Sequence, residues 1–107
     1  MKILALPEVR QYFYELSKTL YNNDYFGHLE SAEKYIDELF ADIENNLHHK
    51  QKKKAPEYFS KYGNNLYYAV FKKNNTTQWY VFFETYVEQQ TYVITYIGNN
   101  HTVSQHL

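Results

Sequence analysis

Cysteine is absent from the 107 residues, which excludes disulfide scaffolds, thiolate zinc sites and thiol nucleophiles. Glycine is scarce. Gly27, Gly63 and Gly98 lie too far apart to build a phosphate-cradling loop. Arginine occurs once, as Arg10 on the first predicted helix, so a set of bidentate phosphate forks is missing. Long apolar runs are missing too. Ile3–Leu6 is stopped by Pro7 and is far too short for a signal-peptide core or a membrane span, which predicts a soluble, cytoplasmic protein. Metal-ligand spacing is not found either: His48 and His49 are adjacent and diverge by about 100° on a helix. No metal or cofactor is expected.

Aromatic residues, in contrast, are abundant, with 13 tyrosines and 7 phenylalanines. Such rings favour strands, and surfaces that face either a core or a ligand. Charge is unevenly distributed. Residues 1–49 carry four basic groups against nine acidic ones, a net of −5, whereas residues 50–107 carry seven lysines against three glutamates, a net of +4. A basic C-terminal half points to an anionic partner such as nucleic acid, although a mixed surface can also sort this way by itself.

The length suits one domain spanning residues 1–107. Lys2–Leu6 reads as a short strand, and Pro7 with Glu8 suits the first turn of a helix. Val9, Phe13, Leu16 and Leu20 line one face of that helix. The pattern breaks at Asn22-Asn23-Asp24, and Gly27 marks a loop. Leu29, Ala32, Tyr35, Ile36, Leu39, Phe40, Ile43 and Leu47 then trace the apolar face of a second helix. After a polar stretch around residues 50–65 the period changes to two. Leu66–Lys73 and Gln78–Tyr86 read as a hairpin around Asn74–Thr77, and Thr91–Ile97 as a further strand in which Tyr92, Ile94 and Tyr96 alternate. The order β-α-α-β-β-β predicts an α+β domain, with a helical hairpin packed on one face of a C-terminal antiparallel sheet.

With Asn74–Thr77 as the loop, Lys73 pairs with Gln78, Phe71 with Tyr80, Ala69 with Phe82 and Tyr67 with Glu84, all on one open face. Leu66, Tyr68 and Val70 then share the buried face with Trp79, Val81 and Phe83. An open face of aromatics beside Lys73, Gln78, Glu84 and Tyr86 suits base stacking with flanking cations, and equally suits ordinary cross-strand packing.

His101 is the sharpest chemical candidate, because imidazole gives or takes a proton near neutral pH and Gly98 would let the backbone turn just before it. His106, next to the last residue, is weaker. The segment HHKQKKKAPEYFSKYG holds Lys50, Lys52, Lys53, Lys54 and Lys61 with Tyr58, Phe59 and Tyr62 interleaved. It reads as a phosphate-contacting stretch or as a solvated loop.

The segments LPEVRQYFYEL, YFGHLESAEKYIDEL, WYVFFETY and YIGNNHTVSQHL, in this order of elements, resemble the RelE/ParE toxin superfamily on its RelE-like side, across nearly the whole chain. The resemblance implies a toxin encoded beside an antitoxin, a ribosome-dependent endoribonuclease that cuts mRNA without metal through attack of the ribose 2′-OH. It implies His101 as a catalytic residue, Tyr80 near a position that often holds arginine, and Glu84 as a carboxylate base. Lys52, Lys53, Lys54, Lys61, Lys73 and Gln78 would hold RNA. Cognate antitoxin, ribosome and mRNA are the implied partners. The lack of sheet arginines fits a second reading, a RelE/ParE-fold binding module without catalysis, or a ParE-like gyrase inhibitor.

Overall fold

Pro7 both ends the first strand and opens the first helix. The Leu6 N–H donates to the Ile94 carbonyl at 3.0 Å, and the Leu6 carbonyl accepts from Val9 and Arg10 as the helix begins. Pro7 fits between them because the first helical N–H has no intrahelical partner to lose. The computed structural model describes residues 2–22, 29–73 and 77–107. Its elements are β1 (Lys2–Ala5), α1 (Pro7–Asn22), α2 (Leu29–Asn46), β2 (Lys53–Lys54), β3 (Tyr67–Lys72), β4 (Gln78–Tyr86), β5 (Thr91–Asn99) and α3 (Asn100–Val103). Short 3-10 turns occur at Leu47–His49, Glu57–Tyr62 and Ser104–His106. The expected loop residues Asn23, Asp24, Gly27 and Asn74–Thr76 lie outside the described residues.

The strands form one sheet in the order β1-β5-β4-β3-β2. The expected antiparallel neighbours β3, β4 and β5 are present, and two strands extend them. β1 lies parallel to β5, and the short β2 lies antiparallel to β3. The fold is α+β. Among the described residues no helix is long and apolar enough to cross a membrane.

The helices cover one sheet face, as their periodicity predicts. Val9, Phe13 and Leu16 of α1 and Ile36, Leu39 and Ile43 of α2 pack with Phe71, Trp79, Val81, Phe83, Ile94 and Ile97. Phe13 meets Phe40 edge to face at 5.4 Å. The Trp79 indole N–H, which needs a partner once buried, donates to the Tyr35 hydroxyl at 2.9 Å and ties α2 to the central strand.

The hairpin register differs from expectation by one residue. Lys72, not Lys73, pairs with Gln78, and Lys73 joins the loop, its N–H donating to the Thr77 carbonyl. Phe71 therefore pairs with Trp79, Ala69 with Val81 and Tyr67 with Phe83, all on the helix side. Tyr68, Val70 and Lys72 move to the opposite face beside Phe82, Tyr80 and Gln78. A slip of one residue exchanges the faces of a whole strand, and burial of Phe71 and Ala69 under the helices fixes this one.

β5 carries a second surprise. Phe82 pairs with Tyr96 and Phe83 with Ile94, so Thr95 is an extra residue in a β-bulge. The bulge breaks the simple alternation. Ile94 and Ile97 both join the helix-side core, whereas Tyr96 points to the other face.

That other face is not open. The segment expected to be a polar connection folds over it. Phe59, from the Glu57–Tyr62 turn, is 1% exposed and stacks on Phe82 at 4.4 Å. Leu66, Tyr80 and Val103 complete this second core. The sheet thus lies between the helical layer and a thinner layer built from residues 53–66 and the C-terminal turn.

Candidate nucleic-acid interface

The C-terminal residues are tied to the sheet. The Asn99 side chain caps α3, its Oδ1 accepting from the N–H of His101 at 2.9 Å and of Thr102 at 3.2 Å. Asn100 Oδ1 accepts from the Gln78 N–H at 3.0 Å. Val103 is buried against Gly98, where a Cβ would stand 2.5 Å from Val103 Cγ2. Gly98 therefore serves close packing within β5, not the turn expected of it. These contacts hold the His101 backbone at the end of β5 with its side chain exposed. His106 is also docked, stacked on Tyr58 at 3.6 Å with planes 5° apart.

The other expected catalytic residues do not converge on His101. Tyr80 pairs with Gly98, close to the end of β5, but is buried in the second core, and its hydroxyl donates to Gln78 Oε1 at 3.3 Å. Glu84 pairs with Val93, whereas Asn99 pairs with Trp79. Five residue steps along β4 separate those two pairs, about 17 Å at 3.4 Å per residue. A phosphate beside His101 is out of reach of Glu84. The Glu84 carboxylate is engaged locally, accepting from the Asn64 N–H at 3.1 Å and the Tyr86 hydroxyl at 3.0 Å. That hydrogen bond and the carboxylate's charge push the Tyr86 phenol upward. Among the described residues, no three His, Asp or Glu side chains lie where they could hold a metal ion.

The six expected RNA contacts divide in the same way. Cross-strand partners share a face, so Lys53 lies with Tyr68 on the thin-layer side and Lys54 with Tyr67 on the helix side. Lys52 donates to the His48 and Lys50 carbonyls at 3.0 Å and sits over the Tyr92 ring. Lys73 lies over Tyr35 of α2, on the helix side. Lys61 remains exposed, its ammonium 4.2 Å from the Tyr58 ring centre and 5.5 Å from that of Tyr62. Gln78 faces the thin-layer side with its cross-strand partner, the exposed Lys72. Lys53, Lys61 and Lys72 thus share the thin-layer side of the sheet.

A tyrosine layer accompanies these cations. Tyr62 and Tyr96 stack, Tyr58 stacks on His106, and Phe59 sits beneath. Burial, followed by the Tyr62 neighbour and its hydrogen bond, pushes the Tyr96 phenol up to about 12. The sequence marked Tyr58 and Tyr62 by their place among lysines. Alternation put Tyr96 on the face of Tyr92 and Ile94, and the Thr95 bulge moves it to the opposite one. Stacked rings flanked by lysines can hold bases and phosphates without reading sequence. No protein-family model, no curated protein and no solved structure matches this chain.

Proposed function

We propose that this chain is a RelE-like toxin of a toxin–antitoxin module, a ribosome-dependent mRNA endonuclease that binds RNA on the thin-layer side of its sheet. The observation that carries the reading is an exposed histidine held by its backbone at the end of β5, on a molecule whose C-terminal half is basic and rich in tyrosine. The order of short strand, helical hairpin and antiparallel strands supports the same family. In this mechanism the ribose 2′-oxygen attacks the adjacent phosphorus, the bond to the 5′-oxygen breaks, and a 2′,3′-cyclic phosphate remains. His101 moves the proton, either from the attacking hydroxyl or to the leaving oxygen. Lys61, which lines one cleft with Thr102, supplies positive charge for the crowded phosphate. Glu84 takes no part at that phosphate and Tyr80 acts from the core; the second proton-transfer group then comes from the ribosome or the RNA. Cognate antitoxin, ribosome and mRNA are the partners.

A specific observation favours a second reading. His101 and Glu84 lie at opposite ends of β4, and Arg10, the sole arginine, is on α1. A RelE/ParE-fold module that binds an antitoxin, or gyrase in the ParE manner, needs no acid–base pair. Primer-extension mapping of a reporter mRNA in a cell-free translation reaction separates the readings. Cuts that require both translation and His101 establish the nuclease. Cuts retained in His101→Ala keep the nuclease and remove His101 from it. No cuts with wild type leave the binding module.

A further inference from the structure

β5 outruns β1. Ala5 pairs with Ile94 and Leu6 makes the last bond to it, after which the chain turns into α1. From Thr95 to Asn99, β5 has β4 on one side and, among the described residues, no strand on the other. A cleft of about 590 Å³ lies along this stretch, within the range of about 300–1,000 Å³ typical of small-molecule sites. Tyr12 of α1 and the stacked Tyr62 and Tyr96 supply aromatic walls, and the exposed Lys61 and Glu8 add one charge of each sign.

Thr95, the bulged residue, also lines the cleft. It is 9% exposed, and its hydroxyl is buried with no hydrogen-bond partner. Valine has the same shape and would avoid that desolvation cost, so the hydroxyl calls for an explanation. Threonine χ1 has more than one staggered well, so the hydroxyl can change direction without moving the backbone.

We propose that this cleft binds a nucleobase carrying a 5′-phosphate, with the base against the tyrosine rings, its polar edge on the re-aimed Thr95 hydroxyl and the phosphate toward Lys61. A pure hydrocarbon would use neither the hydroxyl nor the ammonium, and a bare sugar has no flat aromatic ring to lay against Tyr12 and the Tyr62–Tyr96 pair. Glu8 adds an acceptor for an exocyclic amino group, and the larger purine ring offers more stacking area. The nucleotide is either free or one residue of an RNA strand. Binding here requires neither ribosomes nor cleavage.

Calorimetric titration of the isolated protein with adenosine 5′-monophosphate, ribose 5-phosphate and inorganic phosphate tests this. Saturable binding of the nucleotide is expected, with ribose 5-phosphate weaker by about tenfold or more. Thr95→Val should bind the nucleotide about tenfold more weakly while melting no lower than wild type. Tyr12→Leu, at a partly exposed position, gives a second variant with the same expected loss. Displacement of the nucleotide by a short single-stranded oligoadenylate identifies an RNA strand as the source, and failure to displace it identifies the free nucleotide. No nucleotide binding, equal binding of ribose 5-phosphate, or full affinity in both variants overturns the proposal. Nucleotide binding without mRNA cleavage would sink the nuclease and leave this site standing.

Discussion

Tyr62 and Tyr96 lie face to face, their ring centres 4.0 Å apart and their planes within 8° of parallel. One comes from the turn that covers the sheet, the other from the sheet itself, so the pair clamps the thin layer in place. Its protonation is linked to folding. The Tyr96 phenol is held at about 12 in the folded chain, against about 10 when unfolded. The folded state therefore binds the proton more tightly. The contribution is fully present below pH 10 and is lost as pH rises from about 10 through about 12. Urea denaturation across that window should show the wild type losing more stability than Tyr96→Phe. Parallel curves for the two proteins would contradict the linkage.

Glu84 acts as a clamp for the bend at Gly63. Gly63 has φ +152°, and a Cβ there would stand 2.7 Å from Glu84 Oε2 and 3.1 Å from Leu66 Cδ2. Gly63→Ala should cost roughly 1–3 kcal/mol from backbone strain alone. Glu84→Ala should cost about 1–2 kcal/mol by leaving the Asn64 N–H without its acceptor. Neither change touches His101, so any mRNA cleavage should persist in Glu84→Ala. Loss of cleavage with unchanged stability would return Glu84 to the chemistry.

The second core is as integral to stability as the first. Phe59 is fully enclosed and stacks on Phe82, so Phe59→Ala should destabilise by about 3–5 kcal/mol, as large-to-small core changes do. A lysine-rich loop merely lying on the surface would lose less than 1 kcal/mol. Denaturant midpoints distinguish these directly.

The Asn99 cap positions His101. Asn99→Ala should cost about 0.5–2 kcal/mol and lower any His101-dependent cleavage, whereas Asn99→Asp, which can still cap, should retain both. A cleavage defect in Asn99→Asp equal to that of Asn99→Ala would show that the cap is not what positions the histidine.

The division of the lysines predicts a salt signature. Each phosphate contact removed from a single strand lowers the slope of log affinity against log salt by about 0.7. Lys53→Gln, Lys61→Gln and Lys72→Gln should each lower it. Lys52→Gln and Lys73→Gln, which lie over Tyr92 and Tyr35 on the helix side, should leave it unchanged. The reverse pattern would place RNA on the helix side.

The chain's local patterns determined much of this. The apolar stripes of α1 and α2 and the inward row Trp79, Val81 and Phe83 on β4 were legible, because helical and strand periods follow from backbone geometry alone. What spacing could not decide was how strands meet. The one-residue slip that paired Lys72, not Lys73, with Gln78 turned Phe71 and Ala69 under the helices and Lys72 away from them. The Thr95 bulge, which turned Tyr96 away from Ile94 and toward Tyr62, is one extra residue that no alternation reveals. The folding back of Phe59, the parallel seat of β1 and the distance between Glu84 and His101 likewise depend on contacts between residues far apart in the chain. Local periods give each element its faces; only burial against the rest of the molecule decides which faces meet, and so which residues share a site.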